Sequence, residues 1–219
     1  MTAADLIAAF RQPVSSASVT ELTTYFAFQP WQQQYGYATD ANQLFRAVIV
    51  NALLLDFSLT DHGLIRALFA EEMKCEAAIR EHENLYQLSF YLYELRQLED
   101  TFPLYEAKYR TQNMDVHFLL DREMMTVRHE VPDVIRYVEA EFLREPLLRT
   151  RYTTILEELN GLLEYPDYNS VEDYRTFIRG YFYGHEDEDS DGGSTDTDTV
   201  PTASLSGYEP GPKPWWKFW

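Results

Sequence analysis

Five histidines, one cysteine and several adjacent carboxylates are the residues of this chain with the chemistry to hold a metal or move a proton. A carboxylate-bridged di-iron site needs Glu-x-x-His on two facing helices. None of His62, His82, His117, His129 or His185 has a glutamate three residues before it, and His-Glu-x-x-His is absent. His117 and Asp121 stand four apart, a spacing that shares one helix face, and read as a surface hydrogen bond. Glu81-His82-Glu83 reads as a solvated junction between helices. Cys75 falls on the apolar side of its helix, which predicts a buried structural thiol rather than a nucleophile. The pairs Glu71-Glu72 and Glu157-Glu158 are adjacent, so a helix points their members apart and surface roles are expected. No Gly-x-Ser-x-Gly, phosphate-binding loop or dinucleotide motif occurs. The expectation is a protein without catalytic residues and without a cofactor.

One acidic tract has a metal-like spacing. Asp187, Asp189 and Asp191 alternate, Gly192 follows, and Asp198 stands where a twelve-residue calcium loop places its last carboxylate. The tract resembles an EF-hand loop over that stretch. It departs in ending on Asp rather than the longer bidentate Glu, and Thr199-Val200-Pro201 offers no exiting helix. A solvated tract is the preferred reading, and no metal is expected.

The same tract opens a change of composition. From His185 a Ser/Thr/Asp/Gly run has no large apolar residue before Val200, too little to offset the entropy of ordering. Prolines 210, 212 and 214 follow, and the sequence closes on Trp215, Trp216, Lys217, Phe218 and Trp219. Burying one such aromatic side chain is worth about 2 kcal/mol, enough for three or four to order a short peptide on a partner. The chain therefore divides into a helical domain, 1–184, a disordered acidic and proline-rich linker, 185–214, and an aromatic tip motif, 215–219. The tip is the expected partner-binding element, docking in cis or in trans.

Charge narrows the partners. Lys plus Arg is 18 and Asp plus Glu is 36, a formal net charge of −18. Eight acids against two lysines in 185–219 give −6 there and leave −12 on the rest. Such a body repels phosphate backbones and anionic bilayers, so nucleic acid is excluded and a membrane disfavoured. Another protein is the expected partner, with a homo-oligomer as the alternative; the charge is compatible with a basic partner, though plain solubility is the preferred reading of it. A lone cysteine fits a reducing compartment, and the first residues have no basic leader, so the cytoplasm is expected.

The elements are helical. Between Asn84 and Arg128, Leu85, Leu88, Leu92, Leu95 and Leu98 recur at steps of three and four, widened by Tyr86, Phe90 and Tyr93. A helix apolar over so much of its circumference must be covered on several sides. Two further helices follow, through Phe102, Leu104, Tyr105 and Tyr109, and through Val116, Leu119, Leu120, Met124 and Val127. Before them come helices over Ala3–Arg11, from Ser18 or Thr20 to Pro30, a heavily buried one through Leu44, Phe45, Val48, Ile49, Leu53 and Leu55, and Asp61–Arg80. Gln32–Tyr37 reads as loop. After them come helices from Pro132, from Pro146 through Leu163, and from Ser170 to Gly184. The sixteen tyrosines are expected mostly at the rim of the core. The prediction is an all-α domain of about ten helices in antiparallel pairs without a sheet, arranged as a HEAT- or tetratricopeptide-like solenoid, or alternatively as a compact irregular bundle. Its function is expected to be non-enzymatic protein binding.

Overall fold

The computed structural model describes residues 1–12, 16–32 and 38–184. Among the described residues the chain is mostly helical. The order is α1 (Ala3–Phe10), α2 (Ser16–Thr23), β1 (Pro30–Gln32), β2 (Ala38–Asp40), α3 (Gln43–Leu53), α4 (His62–Ile79), α5 (Leu85–Leu95), α6 (Thr101–Tyr105), α7 (Met114–Leu119), α8 (Val131–Arg144), α9 (Pro146–Arg151), α10 (Ile155–Glu164) and α11 (Val171–Tyr183). None of these helices is long and apolar enough to cross a membrane. The acidic tract, the linker and the aromatic tip lie outside the described residues.

Local chemistry starts the helices where the sequence puts capping residues. Thr2 accepts from the Asp5 amide while Asp5 accepts from the Thr2 amide, a reciprocal capping box on α1. Asn113 caps α7 and Ser170 caps α11 through their side-chain oxygens. Pro132 and Pro146 sit in the first turns of α8 and α9, where the missing amide hydrogen costs nothing.

α5 is the central element. Leu85, Leu88, Phe90, Tyr91, Leu92 and Tyr93 are fully buried in one cluster that also draws on α1, α3, α4, α7 and α11. A second cluster holds Phe102, Tyr152, Val134, Val138, Ile155 and Leu159, where α8 packs on α10. α11 returns to the first cluster. Phe182 stacks on Phe90 at 4.5 Å between ring centroids, and Tyr183 Oη donates to the Leu54 carbonyl at 3.1 Å, 129 residues away in sequence.

Four expectations are corrected. The stretch read as loop is flanked by an antiparallel ribbon pairing Pro30 with Asp40 and Gln32 with Ala38; three-residue strands leave no period to read. The helix expected from Pro146 through Leu163 is two, α9 and α10, broken at Tyr152. The run from Val116 to Val127 is α7 followed by a 3-10 turn, Arg122–Thr126. On α3 the inward face is Arg46, Ile49, Val50 and Leu53, whereas Leu44, Val48 and Leu55 face solvent at 79, 56 and 88% exposure.

Candidate functional sites

Three side-chain clusters concentrate charge inside the helical body. The first centres on Arg46, which is fully buried on α3. Its Nε donates to Glu72 Oε1 at 2.6 Å, its Nη2 pairs with Asp40 Oδ2 at 2.5 Å, and its Nη1 donates to the Phe26 carbonyl at 3.2 Å. Asn84 Nδ2 donates to the same Glu72 oxygen, and Asp40 Oδ1 accepts the amides of Gln29 and Asn42. Glu71 accepts the Phe28 amide at 2.8 Å. The cluster pins the loop before β1 to α3 and α4. Glu71 and Glu72 are therefore buried, not at the surface, because two helix positions so close to Arg46 and to a chain reversal each find a donor. Cys75 is fully buried near this cluster, and burial together with Glu72 pushes its thiol up to about 12. Such a thiol is held neutral and unreactive, as the sequence implies.

The second cluster surrounds Asp121. It stands just before the 3-10 turn after α7 and accepts from Tyr86 Oη at 3.1 Å and Tyr174 Oη at 2.9 Å, so one carboxylate ties α5 to α11. Burial pushes the Asp121 and Glu123 carboxyls up and the Lys108 ammonium down. His117 does not meet Asp121. α7 stops at Leu119, and His117 instead hydrogen-bonds the Lys108 carbonyl through Nδ1 at 3.0 Å.

The third cluster surrounds Glu94 in the last turn of α5. A carboxylate there faces the negative end of the helix dipole, and cations must offset it. Arg175 supplies two contacts, Nε to Oε1 at 2.9 Å and Nη2 to Oε2 at 3.3 Å. Arg179 Nη1 donates to Oε2 at 3.2 Å, and Arg128 Nη1 lies 3.6 Å from the same oxygen. Arg175, Arg179 and Tyr183 stand four apart on one face of α11, and the Arg179 guanidinium lies 4.8 Å over the Tyr183 ring. Val127 and Arg128 both adopt positive φ, 42 and 59°. For a β-branched residue that backbone is strained by about 1–3 kcal/mol, a feature that gathers at functional sites. Beside the cluster runs a groove of about 430 Å³ lined by Leu55, Phe57, Leu59, Arg179 and Tyr183, with Glu94 itself in its wall.

Sequence reasoning singled out none of Arg46, Glu94, Arg128, Arg175 and Arg179. A lone cation in the apolar run of α3 was a legible sign for Arg46. The Glu94 partners lie up to 85 residues away, with no local pattern. Elsewhere, His62 Nε2 and Asp100 Oδ2 meet at 2.7 Å, but no hydroxyl or thiol among the described residues bonds that imidazole. Among the described residues no group of three or more His, Cys, Asp or Glu side chains is placed to hold a metal ion. Glu157, Glu158 and His82 sit at or near the surface, as their spacing implies. Most of the described tyrosines lie at the rim or the surface, as expected, but a few go deeper. Tyr91, Tyr93 and Tyr174 are fully buried, and each hydroxyl finds an acceptor inside the body, at Val50 O, Val171 O and Asp121. Trp215, Trp216, Lys217, Phe218 and Trp219 lie outside the described residues. The chain matches no family model, and the comparisons with curated proteins and with solved structures found no match.

Proposed function

We propose that the protein is a non-enzymatic protein–protein interaction module of the adaptor or immunity type, acting in the cytoplasm. The observation that carries this reading is the outward side of α3. Leu44, Val48, Ala52 and Leu55 form an exposed stripe at steps of four, four and three. Their solvent-facing neighbours, Gln43, Ala47 and Asn51, carry no charge either, in a chain in which one residue in four is charged. Exposed apolar surface of this kind, rimmed by polar residues, marks contact sites. The acidic body supplies attraction for a basic partner, and Trp215, Trp216, Lys217, Phe218 and Trp219 supply a second, linear contact. On architecture, the same reading takes the body as the compact irregular bundle rather than the solenoid, supported by the return of α11 onto α3 and α5.

The test is affinity purification with the full chain, with Val48→Glu, and with a chain ending at Gly184, the recovered proteins quantified by mass spectrometry. Loss of a shared set of partners in Val48→Glu supports the α3 face, and loss in the shortened chain supports the tip. Equal recovery by all three removes the proposal. Light scattering on the same proteins addresses the alternative, a homo-oligomeric scaffold; a single monomeric mass throughout removes it.

A specific observation favours a second reading, an enzyme with interhelical carboxylates. Asp121 and Glu123, both pushed toward the neutral form, share a buried neighbourhood with Lys108, the kind of grouping found at acid–base sites. The Tyr86 and Tyr174 hydroxyls already occupy one Asp121 oxygen, so a structural tether accounts for it equally well.

A further inference from the structure

The geometry points to a second binding site, of opposite charge preference to the acidic body: the groove between the end of α3 and α11 takes an acidic peptide segment of another protein. A carboxylate of the peptide meets Arg179, and a neighbouring bulky apolar side chain lies on Leu55 and Leu59.

Charge selects this occupant. Elsewhere the buried Arg46 meets two acids, Asp40 and Glu72, and the half-buried Arg11 meets Asp56 and Asp61. At Glu94 the ratio inverts, with three guanidinium groups on one carboxylate that is 7% exposed. Arg175 has all three nitrogens engaged, two by Glu94 and one by Glu172. Arg179 does not. Only its Nη1 is bonded, its face is covered by Tyr183, and its Nε and Nη2 have no partner among the described residues. That leaves one edge of a planar fork, held flat by the ring beneath it and 43% exposed, which is the shape that accepts a carboxylate through two hydrogen bonds. Next to it, Leu55 and Leu59 are 88 and 60% exposed and line the same groove. Arg128, on the positive-φ Val127-Arg128 backbone, lies 3.6 Å from the same Glu94 oxygen that Arg179 bonds and adds to the offset of that charge.

A nucleic acid is a poor fit to the same charges. A polyanion brings many phosphates within reach of a body carrying −12, whereas a short peptide brings one or two carboxylates to the one place that favours them. At physiological salt the repulsion from the remaining acids is screened beyond about 8 Å, so contact with Arg179 decides.

The test is selection of phage-displayed random dodecapeptides on the immobilised full chain, followed by fluorescence anisotropy with the labelled winning peptide. The expected consensus places Asp or Glu within two positions of Trp, Phe or Leu. Binding is expected to weaken at least tenfold for Arg179→Gln and for Leu59→Asp, and for the peptide with its acids changed to amides. It is expected to persist in Arg136→Glu, an exposed α8 position. Arg179→Gln removes the charge without placing a second acid beside Glu94, so the fold is retained; its melting curve checks this. No consensus, a basic consensus, or binding indifferent to both Arg179→Gln and Leu59→Asp overturns the inference.

Discussion

At the scale of single residues, burial sets the behaviour of the charged groups, and two of them give measurable expectations. Arg46 neutralises part of the charge on Glu72 and Asp40 where all three are fully or nearly fully buried. Arg46→Met would strand two carboxylates in the interior, a loss of about 3–5 kcal/mol in urea unfolding. Arg46→Met with Glu72→Leu should recover part of that loss, since the pair is then replaced by apolar volume. Asp121 works the other way. Its folded carboxyl is pushed up by burial, so its contribution to stability is present below the ordinary Asp range and lost as pH rises through the folded value. Asp121→Asn keeps an acceptor for Tyr86 and Tyr174 and removes that loss. The variant should match the parent near pH 3 and exceed it by about 1 kcal/mol at pH 7 in urea titrations. Equal stability at pH 7 would show that the two hydroxyls fully offset the burial of the charge.

At the scale of elements, helix ends carry the sharpest expectations. Arg80 ends α4 in the left-handed region at φ 66°, where glycine has no Cβ to strain. Arg80 also pairs with Glu76, whose side chain is only 3% exposed, so the test falls on Arg96, exposed and ending α5 in the same region at φ 60°: Arg96→Gly should raise stability by about 0.5–1 kcal/mol in urea unfolding. Leu92→Ala, in the middle of α5 and fully buried, should cost about 2–5 kcal/mol. α5 was legible from sequence because its leucines keep a helical step over three turns and its aromatics leave no side for water. α3 was legible as a helix but not in phase. Leu44, Phe45, Val48, Ile49, Val50, Leu53 and Leu55 surround the axis, and only the buried partners of Arg46 decide which side turns inward. The ribbon before α3 was illegible, since its register depends on Asp40 accepting amides from Gln29 and Asn42 and on Arg46 holding Asp40.

At the scale of the whole body, the candidate sites are made by elements distant in sequence, which is why the sequence did not announce them. Glu94 belongs to α5, Arg128 to the turn before α8, and Arg175 and Arg179 to α11. No window of residues contains them together. The exposed stripe on α3 was hidden differently: leucine and valine read as core from composition, and their exposure follows only once the opposite face is seen packed. What the apolar spacing did reveal is the mostly helical character of the body. Because α11 completes both the first core cluster and the Glu94 cluster, a chain ending before Val171 should lose cooperative unfolding, not merely some stability. Thermal melting by circular dichroism checks this; a sharp transition in the shortened protein would show that α11 is an accessory.

The return of α11 also orders events during synthesis. Phe90 and Tyr86 on α5 are made long before Phe182, the ring that stacks on one and tilts against the other. Until residues past 182 have left the ribosome, Phe90 and Tyr86 lack the ring that covers them. Uncovered aromatic surface of that kind is what makes a partly made chain prone to misassembly, and slow translation of the last helix of the body prolongs the interval.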